Sequence, residues 1–210
     1  IVFAGTPGFA ATHLEALLKA GMEVVGVYTQ PNRPAGRGKK LMASPVKQLA
    51  IENNIEVFQP LNFKEQDDRD QLAELKPDLM IVVAYGLLLP QSVLDIPTHG
   101  CINSHASLLP RWRGAAPIQR AIEAGDTVSG VTVMQMEAGL DTGPMIQKVE
   151  TPIMPGDTGG SLHDRLAQIG SEAVVQTIAK FESGPVLKEI QDDSLTCYAH
   201  KLNKAEAMIN

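Results

Sequence analysis

The amino-acid sequence predicts an α/β fold built on a doubly wound, mostly parallel sheet. Short runs of β-branched and other apolar residues alternate with segments whose apolar residues recur at helical spacing. The most apolar run, Leu79–Ala84, has no polar position, which is typical of a central parallel strand covered on both faces. Together these observations favour a Rossmann-like arrangement, in which ligands bind at the carboxyl ends of the strands.

The first half of the chain contains three predicted strands and three predicted helices. Leu14, Leu17 and Leu18 share one face of the first helix, which Gly21 ends. Ser44 and Pro45 suit the N-cap and the first position of the second helix. In chain order we predict strand Ile1–Ala4, helix Phe9–Ala20, strand Val24–Tyr28, helix 44–53, strand Glu56–Phe58 and helix 65–75.

The second half continues the alternation as far as a long amphipathic helix, which either Thr158 or Ser161 can cap. In chain order we predict strands Leu79–Ala84 and Cys101–His105, a helix from Pro117 through Ala124, strands Val131–Met136 and Met145–Val149, and helix Ser161–Phe181. Beyond Ser183 the pattern weakens, and Ser194–Ile209 fits either one more helix or a connector.

The composition and the charge of the chain indicate its cellular compartment and the class of ligand it can bind. The two cysteines lie far apart, and no Cys-x-x-Cys or Cys/His cluster predicts a disulfide framework or a metal site, so we expect a cytoplasmic protein. No apolar run approaches the ~20 residues that cross a bilayer. The net charge is −6, yet residues 24–51 contain no acidic residue and five basic ones: Arg33, Arg37, Lys39, Lys40 and Lys47. Such a segment is either a solvated loop or a contact for a phosphate backbone.

Asn103 and His105 form the most informative pair of polar residues. Because alternate residues of a strand point to one face, these two side chains project together while Ser104 points away. An amide that donates to a carbonyl oxygen, beside a group that exchanges protons near neutral pH, suits acyl transfer. Spacing alone nevertheless favours the plainer interpretation that both are ordinary polar residues at a strand end.

Asp141 lies in a glycine-rich turn, Gly139–Gly143, that lets backbone approach a ligand. An isolated Asp in such a turn more often caps the turn with its own side chain. Other patterns fail. Residues Gly5–Gly8 do not make a Gly-x-Gly-x-x-Gly fingerprint, residues Gly36–Lys40 lack the Ser or Thr of a P-loop, and no Gly-x-Ser-x-Gly elbow occurs.

Five longer motifs are distributed along the chain. They are FAGTP at Phe3–Pro7, TQPNRPAGRGKK at Thr29–Lys40, VVAYG at Val82–Gly86, SLLPRWRGAAPI at Ser107–Ile118 after Asn103-x-His105, and GLDTG at Gly139–Gly143. Together they resemble the motifs of the methionyl-tRNA formyltransferase family of folate-dependent enzymes. The resemblance extends from Ile1 to about Ile209.

The resemblance implies both the chemistry and the ligands. It implies that Asn103, His105 and Asp141 are catalytic residues in the transfer of a formyl group from 10-formyltetrahydrofolate to the α-amine of methionyl initiator tRNA. It implies folate contacts at Ser107, Leu108, Leu109 and Pro110, and at Tyr85, Gly86, Leu87, Leu88 and Leu89. It assigns the basic loop, with Arg33, Arg37, Lys39 and Lys40, to the tRNA acceptor end. It implies no metal and no membrane contact, and we expect a monomer.

The chain departs from this family pattern at two positions. Gly8 replaces an Asp that is common in the first turn, and Pro144 follows Gly143 where an acidic residue is frequent. We expect residues 1–184 to form the catalytic domain and residues 185–210 to be a linker toward a C-terminal β-barrel domain absent from this chain.

Three other functions remain open on the sequence. The first is a sibling formyltransferase that acts on glycinamide ribonucleotide or a UDP-amino sugar with the same three residues. The second is a folate-binding or hydrolytic domain without a transfer partner. The third, a nicotinamide-dependent dehydrogenase, is disfavoured by the missing glycine fingerprint.

Overall fold

A seven-stranded sheet forms the centre of the computed structural model, which describes residues 1–35 and 40–207. The strands are β1 (Val2–Gly5), β2 (Gly26–Tyr28), β3 (Arg33–Ala35), β4 (Lys40–Met42), β5 (Val57–Phe58), β6 (Met80–Val83), β7 (Cys101–His105), β8 (Arg113–Gly114), β9 (Val128–Gln135), β10 (Met145–Pro152) and β11 (Tyr198–Ala199). The central sheet has the order β5-β2-β1-β6-β7-β9-β10, and β9 alone runs opposite to the other six strands, because its pairings with β7 and β10 are the antiparallel ones. The predicted mostly parallel, doubly wound sheet is confirmed.

The helices lie where the periodicity predicts them, to within about two residues at each end. They are α1 (Gly8–Lys19), α2 (Pro45–Glu52), α3 (Gln66–Glu74), α4 (Gln91–Leu94), α5 (Pro117–Glu123) and α6 (Gly159–Ser183). Thr158 and Ser161 cap α6 together, since each side chain accepts a hydrogen bond from the other residue's backbone N–H. The prediction missed the single turn α4, the β3–β4 hairpin and the two-residue strands β8 and β11, because short elements carry little periodic signal. No helix among the described residues is long and apolar enough to cross a membrane.

Alternating side chains of the central strands build two separate cores. Phe3 of β1 packs in one hydrophobic cluster with residues of α1, α2 and α6, whereas Val2 and Ala4 pack in another with residues of α3 and α4. All four residues of β6 are buried, which confirms the two-sided burial predicted for this run.

The strand order reverses between β1 and β6. From β1 the chain moves to β2 and β5 on one side, and it then returns to build β6 and β7 on the other. This reversal leaves a crevice at the carboxyl ends of β1 and β6, which is the usual ligand site of doubly wound sheets.

The residues that follow α6 also pack on the domain. Glu189 forms an antiparallel bridge with Met145, and β11 pairs with β8. Between them the chain makes a 3-10 turn at Asp193–Leu195. For the described part of Ser194–Ile209 the connector is therefore the better of the two interpretations. The division at residues 184 and 185 stays a prediction.

Candidate active site

A cavity of about 650 Å³ opens at the carboxyl edge of the sheet. Its size lies in the range of ~300–1,000 Å³ that is typical of small-molecule sites. Asn103, His105 and Asp141 all contribute to its lining. The structure thus brings the three predicted catalytic residues into one cavity. Among the described residues, no group of three or more His, Cys, Asp and Glu side chains could hold a metal ion.

Strand β7 separates its polar residues between the two faces of the sheet. Asn103 lies between Val82 of β6 and Met134 of β9, and both of these neighbours line the cavity. Ser104 points to the opposite face, where its hydroxyl hydrogen-bonds Nε2 of the buried His13 at 2.9 Å. The alternation predicted for Asn103 and Ser104 is confirmed.

The Asn103 amide has unused hydrogen-bonding capacity. Its Oδ1 atom is buried and has no hydrogen-bond partner in the part of the chain that the structure describes. An unsatisfied buried acceptor costs about 1–3 kcal/mol, so native proteins keep few of them. Because Asn103 lines the cavity, this amide is suited to bind a polar ligand group there.

His105 and Asp141 face each other across the cavity wall. The His105 Nε2–H donates to the carbonyl oxygen of Trp112 at 2.8 Å, since a carbonyl can only accept. This bond leaves Nδ1 directed at Asp141, whose Oδ2 lies 3.7 Å away. Nδ1 is therefore the ring nitrogen that can gain or lose a proton on the side of the carboxylate.

The Asp141 carboxylate does not cap its own turn. Its Oδ2 atom accepts a hydrogen bond from the backbone N–H of Gly114, 27 residues earlier in the chain, at 2.8 Å. The Asp141 backbone has a φ of 54°, in the left-handed region that non-glycine residues rarely adopt. Tertiary contacts therefore hold this side chain where it faces His105.

Backbone strain is concentrated around this cavity. Of the five non-glycine residues with positive φ in the described segments, Ala84 and Asp141 line the cavity and Trp112 supplies the carbonyl that holds His105. Each such residue costs about 1–3 kcal/mol and persists only where its surroundings enforce it. This concentration is typical of a functional site.

The folate-contact predictions fall on two differently placed segments. Tyr85, Gly86, Leu87, Leu88 and Leu89 all line the cavity. The segment Ser107–Pro110 is not part of that lining. Instead, Ser107 donates to the Arg111 carbonyl, and the Leu109 N–H donates to the hydroxyl of Thr132. Contact between folate and this second segment stays a prediction.

The predicted tRNA-binding residues lie on the β3–β4 hairpin or just outside the described residues. Arg33 begins β3 and donates to Oε1 of Gln30 at 3.1 Å, and Lys40 begins β4. Arg37 and Lys39 fall outside the described residues. The hairpin follows β2, and it therefore leaves the sheet at the same carboxyl edge as the cavity.

Comparison with known proteins gives the family. The model of the formyl transferase family matches residues 1–178. The chain belongs to the formyl transferase family. A protein of Pseudomonas fluorescens strain Pf0-1, named methionyl-tRNA formyltransferase, is 70% identical over all 210 residues of this chain. The chain spans 66% of the length of that relative, just under two thirds.

Solved structures of formyltransferases share the fold. A phosphoribosylglycinamide formyltransferase from Bacillus halodurans is 27% identical, with a TM-score of 0.71 over 87% of this chain and 94% of that one. An N-formyltransferase from Helicobacter canadensis, in complex with folinic acid and dTDP-3-aminofucose, is 19% identical, with a TM-score of 0.70 over 96% of this chain and 74% of that one. At 19% identity, the second likeness concerns the fold alone.

Several residues that shape this candidate site carry no signal that local sequence patterns reveal. Phe9, Gln119 and His163 line the cavity from α1, α5 and α6. Arg113 and Gln191 lie buried behind the turn of Asp141. The motif around Arg113 was visible in the sequence, but nothing near Gln191 marks it, because its role depends on contacts with distant residues.

Proposed function

We propose that this chain transfers a formyl group from 10-formyltetrahydrofolate to the α-amine of methionyl initiator tRNA. The observation that carries the proposal is the convergence of Asn103, His105 and Asp141 in one cavity, with a buried amide oxygen of Asn103 left unpartnered among the described residues. The name of the Pseudomonas fluorescens relative supports this acceptor. With this substrate we expect a monomeric protein that works in the cytoplasm.

The formyl donor fits the apolar part of the cavity. Tyr85, Leu87, Leu88 and Leu89 present a mostly hydrophobic wall beside the backbone of Gly86. A flat pterin ring would be removed from water against such a wall, as is usual for apolar ligand sites. The folinic acid bound to the N-formyltransferase of Helicobacter canadensis supports a folate donor. We therefore assign residues 85–89 to the donor.

The three polar residues can carry out the transfer without an enzyme nucleophile. A bond forms between the amine nitrogen and the formyl carbon, and the bond from that carbon to N10 of the folate breaks. Asn103 would donate a hydrogen bond to the formyl oxygen as it gains negative charge, an interaction of the kind whose loss costs about 3–4 kcal/mol. His105, stabilised by Asp141 when protonated, would accept the proton that the amine loses and return one to N10.

Two alanine substitutions test the catalytic assignment. Asn103→Ala should lower turnover by ~10²–10³-fold, because it removes a donor to the developing oxyanion. Asp141→Ala should also lower turnover strongly, because protonated His105 loses its counter-charge. Folate affinity, measured by calorimetry, should stay close to that of the wild type in both variants. Asp67→Ala, on an exposed position of α3, serves as the matched control.

The outcomes separate the candidate functions. If both variants kept near-normal turnover, the catalytic assignment would be wrong. Transfer to glycinamide ribonucleotide or an amino sugar, in preference to methionyl-tRNA, would support the sibling formyltransferase. Release of formate without any acceptor would support a hydrolytic domain.

A further inference from the structure

A segment anchored by the buried residues Gln191 and Ala199 crosses behind the candidate catalytic residues. We use the term strap for residues 189–199, which follow α6 and lie beyond the family match that ends at residue 178. At its start, Glu189 exchanges two backbone hydrogen bonds with Met145, at 2.7 and 2.8 Å. At its end, β11 pairs with β8. Backbone hydrogen bonds therefore fix both ends of the strap to the domain.

Gln191 belongs to the strap, and both the nitrogen and the oxygen of its side-chain amide form hydrogen bonds with residues outside it. Its Nε2 donates to the carbonyl oxygens of Asp141 and Gly143, at 2.8 Å each. Its Oε1 accepts from Nε and Nη2 of Arg113, at 3.0 and 2.8 Å. Because a guanidinium group only donates and a carbonyl only accepts, the orientation of this amide is unambiguous. Gln191 is 6% exposed, so water does not compete for these bonds.

Two of these bonds hold the backbone of the strained turn that contains Asp141. The Asp141 backbone stays at a φ of 54° only while its surroundings enforce it. Gln191 holds the carbonyl of Asp141 itself and a second carbonyl two residues later. The same amide holds Arg113, whose neighbour Gly114 donates to the Asp141 carboxylate. Gln191 therefore holds the backbone of Asp141 directly, and it holds the carboxylate of Asp141 indirectly, through Arg113 and Gly114.

The strap also contacts the residue that orients His105. The backbone N–H of Trp112 donates to Sγ of Cys197 at 3.3 Å, and the Trp112 carbonyl accepts from His105. Trp112 has a φ of 61°, again in the left-handed region. The strap therefore binds both strained residues, Asp141 through Gln191 and Trp112 through Cys197.

We propose that Gln191 is a positioning residue for formyl transfer, which holds the turn of Asp141 so that its carboxylate faces His105. This inference rests on the proposed function of the chain. Gln191 touches neither substrate nor reacting atoms and acts through Asp141. A displacement of about 1 Å at a catalytic group can cost ~10²-fold in rate, so a residue in this position affects turnover more than binding.

The discriminating variant is Gln191→Glu in the full chain. A carboxylate at this position keeps the acceptor for Arg113, but it cannot donate to the carbonyls of Asp141 and Gly143. We expect kcat to fall by ~10–10²-fold, with KM for the folate donor within about twofold of the wild type. Gln176→Glu makes the same chemical change on an exposed position of α6, where the residue only accepts from Gln147, and should leave kcat unchanged.

A second variant separates positioning from stability. Gln191→Met removes all of the amide's hydrogen bonds without adding a charge. If Gln191 positions Asp141, both variants lose turnover to a similar extent, whatever their melting temperatures. If the strap only stabilises the fold, the activity of both variants follows their melting temperatures, and kcat returns to the wild-type value at a temperature where each variant is fully folded. That second result would overturn the inference.

A double-mutant cycle tests whether Gln191 acts through Asp141. In an Asp141→Ala background, Gln191→Glu should cause no further loss of turnover, because the group it positions is already absent. Losses that multiply would contradict the inference. If the wild-type chain formylates no amine at all, the proposed function fails. If the wild type is active and Gln191→Glu keeps its kcat, only the role of Gln191 fails.

Discussion

His13 shows how its surroundings decide what a single residue does. It lies one layer behind β7, where its Nδ1–H donates to the Phe9 carbonyl at 2.8 Å and its Nε2 accepts from the Ser104 hydroxyl. Burial lowers the pKa of His13 to about 4, although the bond to Phe9 opposes the shift. His13 is therefore a neutral, structural residue at neutral pH. His105, on the cavity side of β7, faces a carboxylate instead.

This burial makes the stability of the fold sensitive to acid. Between the unfolded pKa of 6.5 and the folded pKa of about 4, the unfolded chain binds a proton at His13 that the folded chain does not. Lowering the pH through this window therefore favours unfolding, and His13 alone accounts for about 1–2 kcal/mol between pH 6.5 and pH 5.

Substituting His13 should remove this part of the acid sensitivity. In His13→Gln the free energy of unfolding, measured with urea, should be lower overall but should fall less steeply with pH. His200→Gln, at an exposed position, should keep the wild-type slope. A slope in His13→Gln equal to that of the wild type would contradict the buried, neutral state of His13.

At the scale of elements, the packing of α6 against α1 and β7 supports the strand that carries Asn103 and His105. Gly170 of α6 lies where the three elements meet. A Cβ at this position would stand 2.9 Å from His13 Nε2 and 3.2 Å from Ser104 Oγ. Both atoms are committed to the hydrogen bond that joins α1 to β7, so neither can move freely. The glycine therefore permits the close approach of α6.

Gly170→Ala should destabilise the protein by about 1–3 kcal/mol through overpacking, although alanine is the better helix former. Gly160→Ala, in the first turn of the same helix, meets its nearest atom at an ordinary 3.7 Å. That variant should be neutral or stabilising by up to ~1 kcal/mol. Thermal unfolding of both variants measures the contrast. Equal melting temperatures would show that the interface can adapt.

At the scale of the whole molecule, the distribution of charge matters more than its sum. The net charge of −6 would repel a nucleic acid. Segment 24–51, however, holds five basic residues and no acidic one, and the hairpin that Arg33 begins follows β2 at the edge where the cavity opens. Under the proposed function, the phosphate backbone of the tRNA meets the positive charges of this segment.

The proposed role of this segment in tRNA binding predicts a change in salt dependence. Arg37→Ala should raise KM for methionyl-tRNA and reduce the salt slope of kcat/KM by about 0.7–0.9, the effect of one lost phosphate contact. Folate affinity should stay the same. Lys19→Ala, at the far end of α1 and near the opposite edge of the sheet, is the control. An unchanged slope in Arg37→Ala would count against the tRNA contact.

The sequence by itself determined the longer elements, their order along the chain and the faces of the central strands. These properties follow from local periodicities, such as the alternation that sends Asn103 to the cavity and Ser104 to His13. The motifs were also sufficient for the family, which the match over residues 1–178 confirms.

Only the tertiary structure decided how the polar residues work together. Local rules described Asp141 as a turn cap, yet its carboxylate binds Gly114 and its carbonyl binds Gln191, 50 residues further along the chain. No periodicity links such distant positions, because their contact depends on how the chain returns after α6. Because the chain returns to the domain after α6, residues 189–199 pack against it, although they lie in the segment predicted to be a linker. The sequence thus predicts Asn103, His105 and Asp141 as candidate catalytic residues, whereas it does not predict the contacts that hold them in place.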